Sequence, residues 1–229
     1  MATTIFDRFA TMLANTPFIL RGGFHPVDGD GLRALVDGRE IGTVAMIGNA
    51  GGALWEAFAA AVPKPAGRDP LDDWTRSVLA PVAAGLGAHP VYPSDGPPYM
   101  PFQRWAMRAE PVSPSPLGVL IHPDYGVWHA YRAAFLFAER MDLPPCAAAA
   151  SPCKNCSERP CLSACPVGAF SEAGYDVPAC AGDVRAAEGR RCRVGGCLAR
   201  AACPVGSSWR YPAEAGVFHL AAFARNHLP

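Results

Sequence analysis

Four cysteines fall within thirteen residues in "CKNCSERPCLSACPVGAF" (153–170), and the last of them precedes a proline. The chain has nine cysteines, all between Cys146 and Cys203, so the first 145 residues contain none. Cys180, Cys192, Cys197 and Cys203 form a second group, which again ends in Cys-Pro. "CLSACPVGAF" at 161 and "CLARAACPVGSS" at 197 share the order Cys, Leu, Ala, Cys-Pro-Val-Gly, the mark of a module built twice. Crowded thiols in a reducing compartment bind metal more often than they form disulfides. Zinc is the alternative to iron and sulfide, since C-x2-C pairs also build four-cysteine zinc sites. Zinc modules separate two such pairs by a dozen or more residues, whereas this run crowds its cysteines and repeats the Cys-Pro ending. That favours iron–sulfur chemistry.

The spacing supports a division of labour. In bacterial ferredoxin runs of the form C-x2-C-x2-C-x3-C-P, three cysteines close around one [4Fe–4S] cube and the fourth ligates the other. Here the run is C-x2-C-x4-C-x3-C-P, two residues longer between Cys156 and Cys161, and the extra loop can bulge outward. Pseudo-symmetry then assigns Cys153, Cys156, Cys161 and Cys203 to one cluster. Cys165, Cys180, Cys192 and Cys197 belong to the other. Cys146 is left over and reads as a small buried side chain. Arg190, Arg191 and Arg193 could raise a cluster potential, but a solvated face is the preferred reading.

Outside the cysteines, three constellations could do chemistry. "GNAGGALWEAF" (48–58) follows a strand and opens a helix, so backbone N–H groups near Gly51 and Gly52 could receive an anion or a cofactor. The plainer reading is a tight strand-to-helix turn. "IHPDYG" (121–126) offers His122, Asp124 and Tyr125 as an imidazole, a carboxylate and a phenol, enough for an acid that protonates a reduced substrate. His-Pro-Asp is also good turn chemistry. In "FQRWAMRAE", Arg104 and Arg108 share one helical face, suited to an anionic ligand or to surface pairing, and Glu110 is a further proton donor. His25, His89, His219 and His227 show no partner pattern.

These residues need elements to position them. Half of the 229 residues are hydrophobic, enough for a full core, and 20 basic residues balance 20 acidic ones. The balance gives no field that selects nucleic acid or anionic membrane. No apolar run is long enough to span a bilayer and the start lacks a signal peptide, so a cytoplasmic protein is expected. The first fifteen residues place Ile5, Phe6, Phe9, Met12 and Leu13 at helical spacing. "IGTVAMIG" predicts a strand, "ALWEAFAAAV" a helix, and "DPLDDWTRSVLAPVAAGLG" a helix capped at Asp69 that Pro81 should end or kink. "LGVLI" predicts a buried strand, and "GVWHAYRAAFLFAE" is ambiguous with strand preferred. The fold class expected is α+β: an N-terminal α/β domain (1–145) that binds a cofactor or substrate, then a small bacterial ferredoxin-like two-cluster domain (146–210). A tail (211–229) is expected to pack on the first domain.

The order "SPLGVLIHPDYGVWHAYRAAFLFAERMDLPP", then the cysteine run, an isolated Cys180 and a final set ending "ACPVG" resembles the epoxyqueuosine reductases and the related reductive dehalogenases. The resemblance covers about residues 100 to 208. It implies an oxidoreductase in which two [4Fe–4S] clusters feed single electrons to a cobalamin held by an α/β domain. It further implies a flavodoxin- or ferredoxin-type electron donor and a small-molecule or nucleoside substrate, with nucleic acid as partner only if tRNA is that substrate. Where the family carries an acidic residue in a "V-D-S/T-A-P-V" stretch, this sequence reads "MRAEPV", which puts Arg108 at the family's Asp and Glu110 two places on. A flavin is the other cofactor for the first domain. The competing function is a stand-alone ferredoxin-type electron carrier with no active site of its own.

Overall fold

The computed structural model describes residues 5–146, 149–186 and 190–227, without the side chains of Ile5, Phe6 and Arg190. Two compact units divide the chain: Met1–Pro111 with Ala130–Ala148, and Val112–His129 with Ala149–Pro229. Among the described residues no helix is long and apolar enough to cross a membrane.

The first unit is built on a four-stranded sheet. Its elements in chain order are α1 (Ile5–Leu13), β1 (Ile19–Phe24), β2 (Thr43–Ala50), α2 (Ala53–Ala61), α3 (Pro70–Leu86), β3 (His89–Val91), α4 (Phe102–Ala109) and β4 (His129–Phe137). The strands lie in the order β1-β2-β4-β3, with β1 antiparallel to β2 and β3 antiparallel to β4. Seven of the eight residues of β2 are buried, as a central strand covered on both faces requires. "GVWHAYRAAFLFAE", whose aromatic and apolar residues leave the choice open with strand preferred, is a strand over His129–Phe137. Phe9 of α1 sits over Phe135 and Phe137, and Trp105 of α4, fully buried, packs on Phe24 and Phe102. Burying each such ring stabilises the unit by about 2–3 kcal/mol.

Two elements depart from expectation. Pro81 does not end α3, which runs on to Leu86 and closes on Gly87 in the left-handed conformation. Its ring is exposed while Leu79, Val82, Ala83 and Leu86 are buried, so packing on the core side carries the helix past the missing hydrogen bond. β1 is invisible in the pattern because "RGG" interrupts it, and the pairing register shifts between Leu20 and Gly23. Gly22 is required there: a Cβ would lie 2.3 Å from the Ala109 carbonyl oxygen. Its hydrogen lets the end of α4 settle directly on β1.

The second unit has little regular structure. "LGVLI" contributes only Leu120–Ile121, paired with Ser113–Pro114 in a two-residue hairpin outside the main sheet. A tight turn follows, in which His122 bridges Gly126. After Ala149 come helical turns at Pro160–Ser163 and Leu198–Ala201, a hairpin pairing Phe170–Ser171 with Gly174–Tyr175, and the helices α5 (Val177–Arg185), α6 (Arg190–Gly195) and α7 (Ala213–Asn226). The turns at 160 and 198 are the two copies of the sequence repeat, and they pack on each other. α7, the predicted tail, packs on α5 and α6 within this unit. Leu117, Ile121, Val127 and Trp128 join Phe170, Ala199 and Cys203 in one apolar cluster, so residues 112–129 form the floor on which the cysteines rest. Gly126 fits this floor only because it has no side chain: a Cβ would lie 1.9 Å from the Val205 carbonyl oxygen, just past the second Cys-Pro.

Candidate metal centre

The cysteine run is shaped by prolines and short turns. Pro152 opens a 3-10 turn carrying Cys153, and the Cys156 N–H donates to the Cys153 carbonyl at 3.4 Å. Arg159, left-handed at φ 41°, reverses the chain so that Pro160 starts the turn holding Cys161. The two extra residues of the run therefore lie in an outward loop, with Ser157 and Glu158 exposed, and Arg159 pairs with Glu172. Asp176 caps α5 by accepting from the Ala179 N–H at 2.9 Å, which fixes Cys180 in its first turn.

Two small cavities result. Cys153, Cys156, Cys161 and Cys203 line one, against Pro116 and Ile121. Cys165, Cys180, Cys192 and Cys197 line the other, with Phe170 and Ala199. The structure brings together the two sets that the repeat implies. Burial pushes the Cys153 thiol up, and Cys203, Cys161 and Cys156 push it further. Burial also raises Cys180, with Cys197, Cys165 and Cys192 adding to the shift and the Tyr175 hydroxyl opposing it. At Cys197 burial is opposed by the N–H groups of Arg200 and Ala199, and at Cys203 by that of Val205. The Ala169 N–H donates to Cys165 Sγ at 3.3 Å. Apolar walls, backbone donors and four convergent cysteine sulfurs form a donor set that an iron–sulfur group fits, because metal binding ionises cysteine thiols. Among the described residues no three Cys, His, Asp or Glu side chains are grouped as a single-ion site. Cys146 is exposed rather than a buried filler. Arg191 and Arg193 are also exposed, and the side chain of Arg190 lies outside the described residues.

The other predicted residues are dispersed. Glu110, just past α4, is seated by the close approach at Gly22 on Arg21 of β1: Arg21 Nη2 lies 2.6 Å from Glu110 Oε1 and Nε donates to Oε2 at 3.1 Å. Tyr131 of β4 donates its hydroxyl to the same carboxylate, and burial, reinforced by Glu110, pushes that phenol far up. Arg21, only 1% exposed in its side chain, also donates to the Asn49 carbonyl, and Arg132 donates to the Asn49 side chain. Arg108 does not join Arg104. It pairs with Asp30, donates to the His25 carbonyl at 2.8 Å and lies over Phe24, while Arg104 is exposed. Gly51 and Gly52 form the turn between β2 and α2, with Gly52 at the helix N-cap.

In the second unit, His122 Nδ1 accepts from the Asp124 and Tyr125 N–H groups at 3.0 and 3.3 Å, and its ring stacks on Tyr125. A neutral His122 therefore carries its proton on Nε2. The Asp124 carboxylate is exposed, 3.9 Å from His122 Nδ1. His129, buried, approaches the Leu120 carbonyl through Nε2 at 3.1 Å. Sequence reasoning misses Arg21, Asn49, Tyr131 and Arg132, whose partners are far off in the chain, and it misses Tyr175 beside Cys180.

No protein-family model and no curated protein matches the chain. Among solved structures, an epoxyqueuosine reductase bound to a tRNA-Tyr epoxyqueuosine-modified stem loop superposes with a TM-score of 0.53 at 13% identity, covering 91% of this chain and 66% of that one. A selenomethionine-labelled epoxyqueuosine reductase gives 0.48 at 14% identity, covering 76% and 52%. The C. elegans B12-trafficking protein CblC, a human MMACHC homologue, gives 0.49 at 13% identity, covering 98% and 97%. The chain thus spans between half and two thirds of the length of these reductases. At such identities the likeness is one of fold, and the fold shared with the tRNA-bound reductase is a mixed one of helices and strands.

Proposed function

We propose that this chain is an iron–sulfur oxidoreductase that passes single electrons to a cofactor or substrate of the first unit, with cobalamin the first cofactor to test. The observation that carries the reading is the pair of neighbouring cavities, each lined by four cysteines from different parts of the module. Cys153, Cys156, Cys161 and Cys203 would hold one [4Fe–4S] cluster, and Cys165, Cys180, Cys192 and Cys197 the other. Bound there, the clusters supply one-electron reduction. The chain's own residues exclude water from the sulfurs through Ile121, Phe170 and Ala199, and backbone N–H groups at Cys197 and Cys203 favour the charged thiolates. Among the candidate proton donors, Glu110 lies in the first unit and would have to leave Arg21 to serve. The fold shared with the tRNA-bound reductase makes a modified nucleoside the substrate class to try first.

Anaerobic iron and sulfide assays test the reading. About eight irons and eight sulfides per chain are expected from two four-iron clusters. Cys165→Ala should halve the iron, and unchanged iron would overturn the assignment. Titrating the iron-loaded protein with cobalamin should then give a saturable change in the visible spectrum. Its absence would favour a stand-alone electron carrier.

A further inference from the structure

A third cavity opens in the second unit, apart from the two that gather four cysteines each. Its volume is about 430 Å³, within the usual range for small-molecule sites. The walls are aromatic: Trp128, Tyr175, Tyr211 and Phe223, with His219. Trp128 and Tyr211 meet edge to face at 5.6 Å and 66°, forming a corner in which a flat ring could lie along one and touch the edge of the other. Arg200 holds that corner open, with its guanidinium over both rings and hydrogen bonds to the Val127 carbonyl. The corner contains two unmet donors, since Trp128 Nε1 and Tyr211 Oη are buried with no hydrogen-bond partner. Buried groups of this kind are ordinarily satisfied. Among the described residues, those lining the cavity include Arg200 and the exposed Arg210 and no carboxylate.

We propose that this cavity binds a planar aromatic small molecule that carries ring carbonyls and an anionic group. The aromatic corner takes the ring, a small adjustment of the corner lets Trp128 and Tyr211 donate to the carbonyls, and Arg210 meets the anion. Cys180 and Cys197 form part of the same wall, so the bound ring lies against the second cysteine set. The inference concerns binding alone and does not depend on which metal those cysteines hold.

Anthraquinone-2-sulfonate has these features and serves as the probe, titrated calorimetrically into the anaerobically purified full chain, with iron assayed in the same sample. Saturable binding at one site is expected, with a Kd on the order of tens of micromolar for a ligand of this size. Tyr211→Phe keeps the ring and should weaken binding about tenfold. Arg210→Ala should weaken it about fivefold and flatten its dependence on salt. Ala213→Trp, at an exposed lining position, should abolish it. No saturable binding to the unaltered chain, or equal affinity in Arg210→Ala and Ala213→Trp, overturns the proposal. Binding retained in a sample without iron upholds it while counting against the iron–sulfur reading.

Discussion

The two units treat their clusters of buried titratable side chains in opposite ways. In the first, Arg21, Glu110 and Tyr131 satisfy one another across β1, α4 and β4, and Asn49 ties in Arg21 and Arg132. In the second, four thiols face one another in each of two cavities, and the Trp128 and Tyr211 donors go unanswered. The first unit pairs its buried charges with its own side chains, although Thr75 Oγ1 and Tyr92 Oη go without a partner there. The second leaves its thiols and donors facing cavities, the arrangement expected if, as proposed above, its stability is linked to what it binds.

That contrast can be broken by experiment. The largest effect should come from withdrawing metal: chelation under reducing conditions should strip hydrogen-exchange protection from residues 149–227 while leaving β2 and β4 protected. Equal loss in both units would refute the difference in self-sufficiency. Next comes Glu110→Ala, which strands a buried guanidinium and should cost the first unit about 3–5 kcal/mol in denaturant unfolding. Iron content should not change in that variant, and Glu110→Gln should cost less. Gly126→Ala, which forces a Cβ onto the Val205 carbonyl, should destabilise the second unit by about 3 kcal/mol, read as a lowered melting temperature and lost iron. Arg108→Ala should cost about 1–2 kcal/mol through the lost pair with Asp30, since Arg108 is partly exposed and solvent already screens that pair. The smallest effect is expected for Arg104→Ala, within about 0.5 kcal/mol. A large effect there would restore the shared-face reading of the two arginines.

The sequence is informative where chemistry is local or repeated. The cysteine spacing and the duplicated Cys-Pro ending are enough to sort eight cysteines into the two sets that the fold gathers. β2 announces itself through its apolar run, while β4 has a pattern that fits strand or helix and is a strand in the fold. β1 does not, because its two glycines, which a propensity reading counts against a strand, are there for close approaches: Gly22 to the end of α4 and Gly23 to the Val44 carbonyl of β2. Pro81 fails to end α3 for a related reason: packing of one buried face carries the helix past it. Glu110 stands out as a titratable group, but its partner Arg21 lies 89 residues away and nothing local marks the pair. Asp124 and His122 look like acid and base, yet the imidazole accepts two backbone N–H groups, which is turn chemistry.

The contact between Gly126 and Val205 reaches beyond stability. The floor at 112–129 and the cysteines from 153 onward belong to one packed body, but β4 and its following segment lie between them in the chain. The cysteine module is therefore not a contiguous cassette. A gene fragment starting at Ala149 would encode every proposed ligand and none of the floor, so recombination could transplant the chemistry only by carrying the strand along with it.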